Sequence, residues 1–98
     1  MIKHIVAWNL KEGLDYAEVT AKIKSELEGL VGKVEGLNFA EVSIDRSMKS
    51  VVLITELDSF DALANYATHP EHVKVADTYV RPFTASRTAI DFEIWLKI

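Results

Sequence analysis

Residues 2 to 10, Ile2-Lys3-His4-Ile5-Val6-Ala7-Trp8-Asn9-Leu10, are β-branched and aromatic with little polar content, and they are apolar at both parities. Such a run fits a strand covered on both faces, which makes it a central strand. The period then changes. Asp15 followed by Glu18 reads as a capping pair, and Val19, Ile23, Leu27, Leu30 and Val31 recur at helical spacing until Gly32 supplies a stop. Lys22, Lys24, Glu26 and Glu28 fall between these positions and read as a solvated face. Strand patterns return at 37–44 and 51–57, joined by the hairpin-length loop Asp45-Arg46-Ser47-Met48-Lys49. Ser59 can cap a helix through Phe60, Leu63, Ala64 and Ala67. That helical region restarts at Pro70, whose fixed φ and missing N–H suit a first helical position, and runs to about Val80. From Ser86 to Trp95, Ile90, Phe92 and Ile94 alternate with Arg87, Ala89, Asp91 and Glu93, the mark of a last strand.

The order β-α-β-β-α-β predicts an α+β, ferredoxin-like fold: a four-stranded antiparallel sheet with both helices on one face. The second face should then be polar, yet strand one is apolar on both sides, with Ile5 and Ala7 on one and Val6 and Trp8 on the other. A homodimer in which two open sheets close over a shared interior resolves the conflict. First and last strands are antiparallel neighbours in this topology. A register that sets His4 opposite Asp91 also sets Val6 opposite Ala89 and Trp8 opposite Arg87. It yields an imidazole–carboxylate pair and a guanidinium able to lie over an indole. Ile90, Phe92 and Ile94 suit packing against the helices, so both pairs are expected on the face away from them.

The chain has 98 residues, 49% hydrophobic and 27% charged, which describes one domain over residues 1–98. A net charge of -4 argues against nucleic acid and anionic membranes as partners, because both call for a basic stripe. Cysteine is absent, which removes disulfides and thiolate chemistry and fits the cytosol. The amino end enters a strand pattern at once without a signal-peptide pattern, and no apolar stretch approaches the roughly 20 residues of a membrane span. A cytoplasmic location is expected.

Candidate chemistry concentrates in Tyr66-Ala67-Thr68-His69-Pro70-Glu71-His72, which holds two of the three histidines. His72 falls on the first turn of the helix that Pro70 starts, and an imidazole titrating near neutrality suits a general base, with Tyr66 to orient it or hold an enolate. The plain alternative is a helix-start histidine bonded to backbone. His69, directly before Pro70, reads foremost as a cap and otherwise as a ligand contact. His4 is either a pocket acid or a core histidine satisfied by Asp91. Two histidines three apart across a proline do not make a metal clamp, and no Cys or Glu cluster joins them, so no metal is expected. Trp8, Phe39, Tyr79 and Phe83 are core, interface or pocket wall.

His4-Ile5-Val6, Tyr66-Ala67-Thr68-His69-Pro70-Glu71-His72 and Arg87-Thr88-Ala89-Ile90-Asp91-Phe92 together resemble the stress-responsive α/β barrel domain (Dabb) family across nearly the whole chain. The resemblance implies a dimeric ferredoxin-like α/β barrel, in many members without an assigned activity and in some plant members stress-induced. More distantly the chain is similar to olivetolic acid cyclase, which closes a polyketide by an aldol reaction with no metal or organic cofactor. By that likeness His72 matches the base, Tyr66 its support, His4 a pocket histidine and Asp91 a late aspartate. Val6 and Trp8 stand where that enzyme has smaller or unbranched aliphatics, and Arg87 and Ala89 where it has aliphatic residues. Val6, Trp8, His69, Arg87 and Asp91 are thus the expected ligand contacts, around a small-molecule ligand of unassigned identity. The function expected from this is a small cytoplasmic homodimeric barrel protein with a small-molecule pocket and no assigned activity; the alternatives are a cofactor-free cyclase, lyase or isomerase using His72, and a cofactor-free monooxygenase.

Overall fold

The computed structural model describes residues 1–94 and holds the expected elements in the expected order. They are β1 (Ile2–Leu10), α1 (Tyr16–Glu28), β2 (Leu37–Ile44), β3 (Ser50–Leu57), α2 (Phe60–Thr68), α3 (Pro70–Val75) and β4 (Thr84–Glu93). A π-helical turn at Ala76–Val80 and a 3₁₀ turn at Arg81–Phe83 join α3 to β4. The strand order is β2-β3-β1-β4 with every neighbouring pair antiparallel, the ferredoxin-like sheet with β1 inside it. Trp95, assigned from its sequence to the last strand, lies outside the described residues.

Local signals explain most boundaries. The Asp15 carboxylate accepts from the Glu18 N–H and starts α1, and the Ser59 hydroxyl does the same for α2 through Ala62 N–H. α1 stops at Glu28 rather than at Gly32, because the last turn tightens: Leu30 N–H bonds to Leu27 O and Val31 N–H to Glu28 O. Gly32 sits in the turn that follows, at φ +91°. Leu30 stays in the core at 1% exposure, while Val31 points outward. Gly36 combines φ +84° with an approach to α2 so close that a Cβ there would meet Ala62 Cβ at 2.9 Å.

The solvated face expected on α1 is partly tied down. Lys24 Nζ donates to Glu28 Oε2 at 2.7 Å and to Val42 O at 2.8 Å, and the same Glu28 oxygen accepts from Val42 N–H at 2.9 Å. β2 is an edge strand, so this clasp occupies backbone groups that no strand pairs with. Burial alone would raise the Glu28 carboxyl, but the Lys24 ammonium and the Val42 N–H outweigh it and hold the group below its ordinary value.

Register and face part company. β1 pairs with β4 as expected, His4 with Asp91, Val6 with Ala89 and Trp8 with Arg87. The face is the reverse of the expected one. Val6, Trp8 and Leu10 are buried in one core with Ile23 and Leu27 of α1 and Tyr66 of α2, so the His4 parity lies beneath the helices. Ile90 and Phe92 lie opposite Ile5 and Lys3 on the outer parity and are 52% and 49% exposed. Hydrophobicity alone favoured Ile90 and Phe92 for the inside. It failed because the helices do not seal the end of the sheet where β4 runs, and the wall there borders a cavity that accepts polar side chains.

Candidate functional site

A cavity of about 500 Å³ opens between the helices and the β1–β4 half of the sheet. It falls within the range of roughly 300–1,000 Å³ common for small-molecule sites. Its sheet wall is built by β-strand alternation: His4, Val6 and Trp8 from β1, with Arg87 and Asp91 from β4. A bulge between Asn9 and Leu10 pairs Leu10 with Thr84 instead of Ala85, which turns Thr84 to the same side as Arg87 and into the cavity lining. The helical wall comes from Tyr66 and Ala67 of α2, His72 of α3, and Ala76, Val80 and Arg81 beyond it.

The break between α2 and α3 sets the central pair. His69 has extended backbone, and its Nδ1 accepts from Glu71 N–H at 3.1 Å, so it caps α3 and takes no part in the cavity lining. The expected ligand contact through His69 is corrected to a structural cap. With α3 started at Pro70, the His72 ring reaches back over α2, its centroid 4.3 Å from that of Tyr66. Tyr66 stands edge-on to His4 at 6.3 Å. His4 Nδ1 is 2.5 Å from Asp91 Oδ1, so the histidine and aspartate expected to pair do meet.

Hydrogen bonding fixes the His72 tautomer. Its Nδ1 lies 3.2 Å from Ala67 O, and a carbonyl only accepts, so Nδ1 carries the proton and Nε2 carries the lone pair of the neutral ring. Burial lowers the His72 pKa, the Ala67 carbonyl opposes that, and Arg81, His4 and Arg87 push it further down, so the ring is neutral at pH 7. Burial pushes the Tyr66 hydroxyl up to about 12, which keeps it a donor. Tyr66 is 2% exposed, and its Oη makes no hydrogen bond among the described residues. No sealed side-chain polar atom lacks a partner among these residues, so that hydroxyl opens onto the cavity. Among the described residues, the arrangement offers an imidazole nitrogen and a phenol donor side by side, neither with a partner.

One expected contact is absent. Arg87 lies across from Trp8 in the sheet, but its guanidinium does not stack on the indole; the cation–π contact among the described residues is Lys49 over Tyr16, at 5.8 Å. Neither Arg81 nor Thr84 was singled out from sequence. The spacing of His72, Ala76 and Val80 by four could have marked that helical wall, since side chains four apart share a face. The bulge that recruits Thr84 leaves no signal of its own in the strand alternation.

A ferredoxin-like sheet with a helix-covered cavity defines a broad class of small α+β proteins. Within it, the sequence profile of the stress-responsive A/B barrel domain (Dabb) matches residues 2–94, and the chain belongs to that family. It is 29% identical over 96 residues to a stress-response A/B barrel domain-containing protein of Arabidopsis thaliana, covering 94% of this chain; the chain spans 36% of the length of that relative. A dimeric protein of unknown function and ferredoxin-like fold from Bacteroides fragilis superposes with a TM-score of 0.84 at 28% identity, over 95% of each chain. The crystal structure of an antibiotic biosynthesis monooxygenase superposes with a TM-score of 0.80 at 13% identity, over 98% of this chain and 100% of that one, and shares the fold alone. No helix among the described residues is long and apolar enough to cross a membrane.

Proposed function

We propose that this chain, as a single Dabb domain, forms a cytoplasmic homodimer that moves a proton α to the carbonyl of a small molecule without a cofactor. The observation that carries the reading is the His72–Tyr66 pair in a cavity of about 500 Å³: an imidazole with Nδ1 held by Ala67 O, whose Nε2, like the adjacent phenol, has no partner among the described residues. In the step, the substrate C–H proton goes to His72 Nε2 and the C–H electron pair becomes the enolate C=C. The carbonyl π electrons move to oxygen, where the Tyr66 O–H donates a hydrogen bond. Return of that proton from His72 to a second position gives isomerisation. Attack of the enolate carbon on a second carbonyl gives the aldol closure of olivetolic acid cyclase, the more distant likeness. His4, held through Nδ1 by Asp91, supports the same oxygen site. The dimer would form through the outer sheet face of Ile5, Ile54 and Ile90, consecutive partners across three strands; a dimeric neighbour of the same fold supports the assembly but not the face.

The test is exchange of α-protons in D₂O, followed by NMR over a panel of ketones and keto acids. His72→Ala is expected to lower exchange at least about 100-fold while the circular dichroism and melting of the protein stay unchanged. The rate should rise with pH along a limb centred below 6.5, since His72 must lose a proton whose pKa is lowered. Exchange equal in wild type and His72→Ala would sink the reading. Oxygen uptake by the wild type with an electron-rich substrate would replace it with a monooxygenase.

A further inference from the structure

The charges on the cavity wall are sorted by position. At one end of the sheet wall, Asp91 is engaged by His4. At the other end stands Arg87, four residues away along β4 and therefore about 13 Å distant along the strand. Arg87 has no carboxylate partner among the described residues, where the ion pairs are His4–Asp91, Lys24–Glu28 and Arg81–Asp77. Arg81 borders the same cavity, but its charge is already matched by Asp77. Between the two ends the wall is Val6, Trp8 and Leu53, an apolar bed. The whole chain carries a net charge of -4, so general attraction does not draw anions here; a local unpaired guanidinium beside the cavity does.

We propose that the cavity takes its substrate by a carboxylate set on Arg87, so that the substrate class is a small keto acid with an apolar body. The planar guanidinium suits a carboxylate through two parallel N–H bonds, and Arg87, exposed on β4 and lining the cavity, is open to an entering anion. With the carboxylate at Arg87 and the body over Trp8 and Val6, the ketone end reaches the Tyr66 and His72 side. Thr84, brought round by the bulge, adds a hydroxyl to the Arg87 end. Both guanidiniums also press on the His72 imidazole through space, which agrees with their placement near the base. This inference rests on the proton-transfer reading for the ketone, but not for the binding of the anion.

The experiment therefore measures binding alone, by NMR titration at pH 7.5 with 3-phenylpropanoate and its near-isostere 3-phenylpropanamide, neither of which carries a ketone. The acid is expected to bind wild type about tenfold tighter than the amide, and Arg87→Gln to bring the two within about twofold without moving the amide. Arg81→Gln should lower the preference less, and His72→Gln should keep it. Equal affinities in wild type, a preference that survives Arg87→Gln, or no binding of either probe at millimolar concentration overturns the proposal. Loss of the preference in His72→Gln also overturns it, placing the anion on the imidazole. A preserved carboxylate preference together with failed α-proton exchange would reject the proton-transfer reading and leave this one standing.

Discussion

On β1, the side chains of His4, Val6 and Trp8 lie beneath the helices, while Ile5 and Ala7, one step along the same strand, face the opposite way. The covered side holds the core and, at its β4 end, a cavity with two imidazoles, a phenol, a carboxylate and two guanidiniums. The outer side presents Ile5, Ile54 and Ile90 in line, with Phe92 nearby at 49% exposure. Along β4 itself the helices leave both parities open, so Arg87 and Asp91 are exposed as Ile90 and Phe92 are, and the two faces differ there in chemistry rather than in burial. The outer face thus has the apolar character of a protein interface, and the inner recess a volume common for small-molecule sites.

The largest expected effect comes from charging the outer face. Ile90→Asp would place a carboxylate in the middle of the proposed dimer contact, where an unpaired buried charge costs several kcal/mol. Sedimentation at micromolar concentration should show a dimer for wild type and a monomer for the variant. Since Ile90 is 52% exposed in the single chain, the monomer should keep its helical and strand content. A dimer of unchanged strength in Ile90→Asp would take the interface off this face.

Tyr66 separates the packing role of the inner face from its chemistry. Tyr66→Ala removes one of the largest fully buried side chains and should cost about 3–5 kcal/mol in denaturant unfolding. Tyr66→Phe deletes only a hydroxyl that has no hydrogen bond among the described residues, and should cost less than about 1 kcal/mol while still lowering α-proton exchange. A large stability loss in the phenylalanine variant would mean the hydroxyl is structural and would remove the phenol from the proposed site. The raised Tyr66 pKa adds a pH signature. Its neutral form is favoured by folding, so that contribution is intact below pH 10 and is lost as pH climbs toward about 12.

The elements themselves were legible because their signals are local. Asp15, Ser59 and Pro70 mark helix starts, and the apolar stretch of 2–10 identifies a strand between two others. The β1–β4 register was legible too, since one alignment paired His4 with Asp91. The face was not. Alternation defines two parities but does not say which one the helices cover, and here the more hydrophobic parity of β4 points outward. The candidate His72–Tyr66 pair could be named from the spacing around Pro70, whereas the His72 tautomer depends on Ala67 O, a backbone acceptor with no sequence signature. Lys24 and Glu28 looked like solvent-facing charges because a helix pattern cannot show the strand edge beside it.

That edge clasp supplies the smallest effect and tests how firmly the covered face is held. Glu28→Gln keeps an acceptor for Val42 N–H but removes the charge opposite Lys24, so the loss at pH 7 should be about 1 kcal/mol or less for a partly exposed pair. The sign of the pH dependence follows from the lowered folded pKa. The stabilisation is present above the ordinary carboxyl value of 4.5 and disappears as pH falls through the lower folded value, where both states are protonated. Urea midpoints of wild type and variant should therefore differ at pH 7 and converge in strong acid. A gap that persists there would show that the glutamine disturbs α1 packing itself. A gap absent at pH 7 would show that Ile23 and Leu27, only 0% and 2% exposed, hold α1 over the sheet without help from the edge.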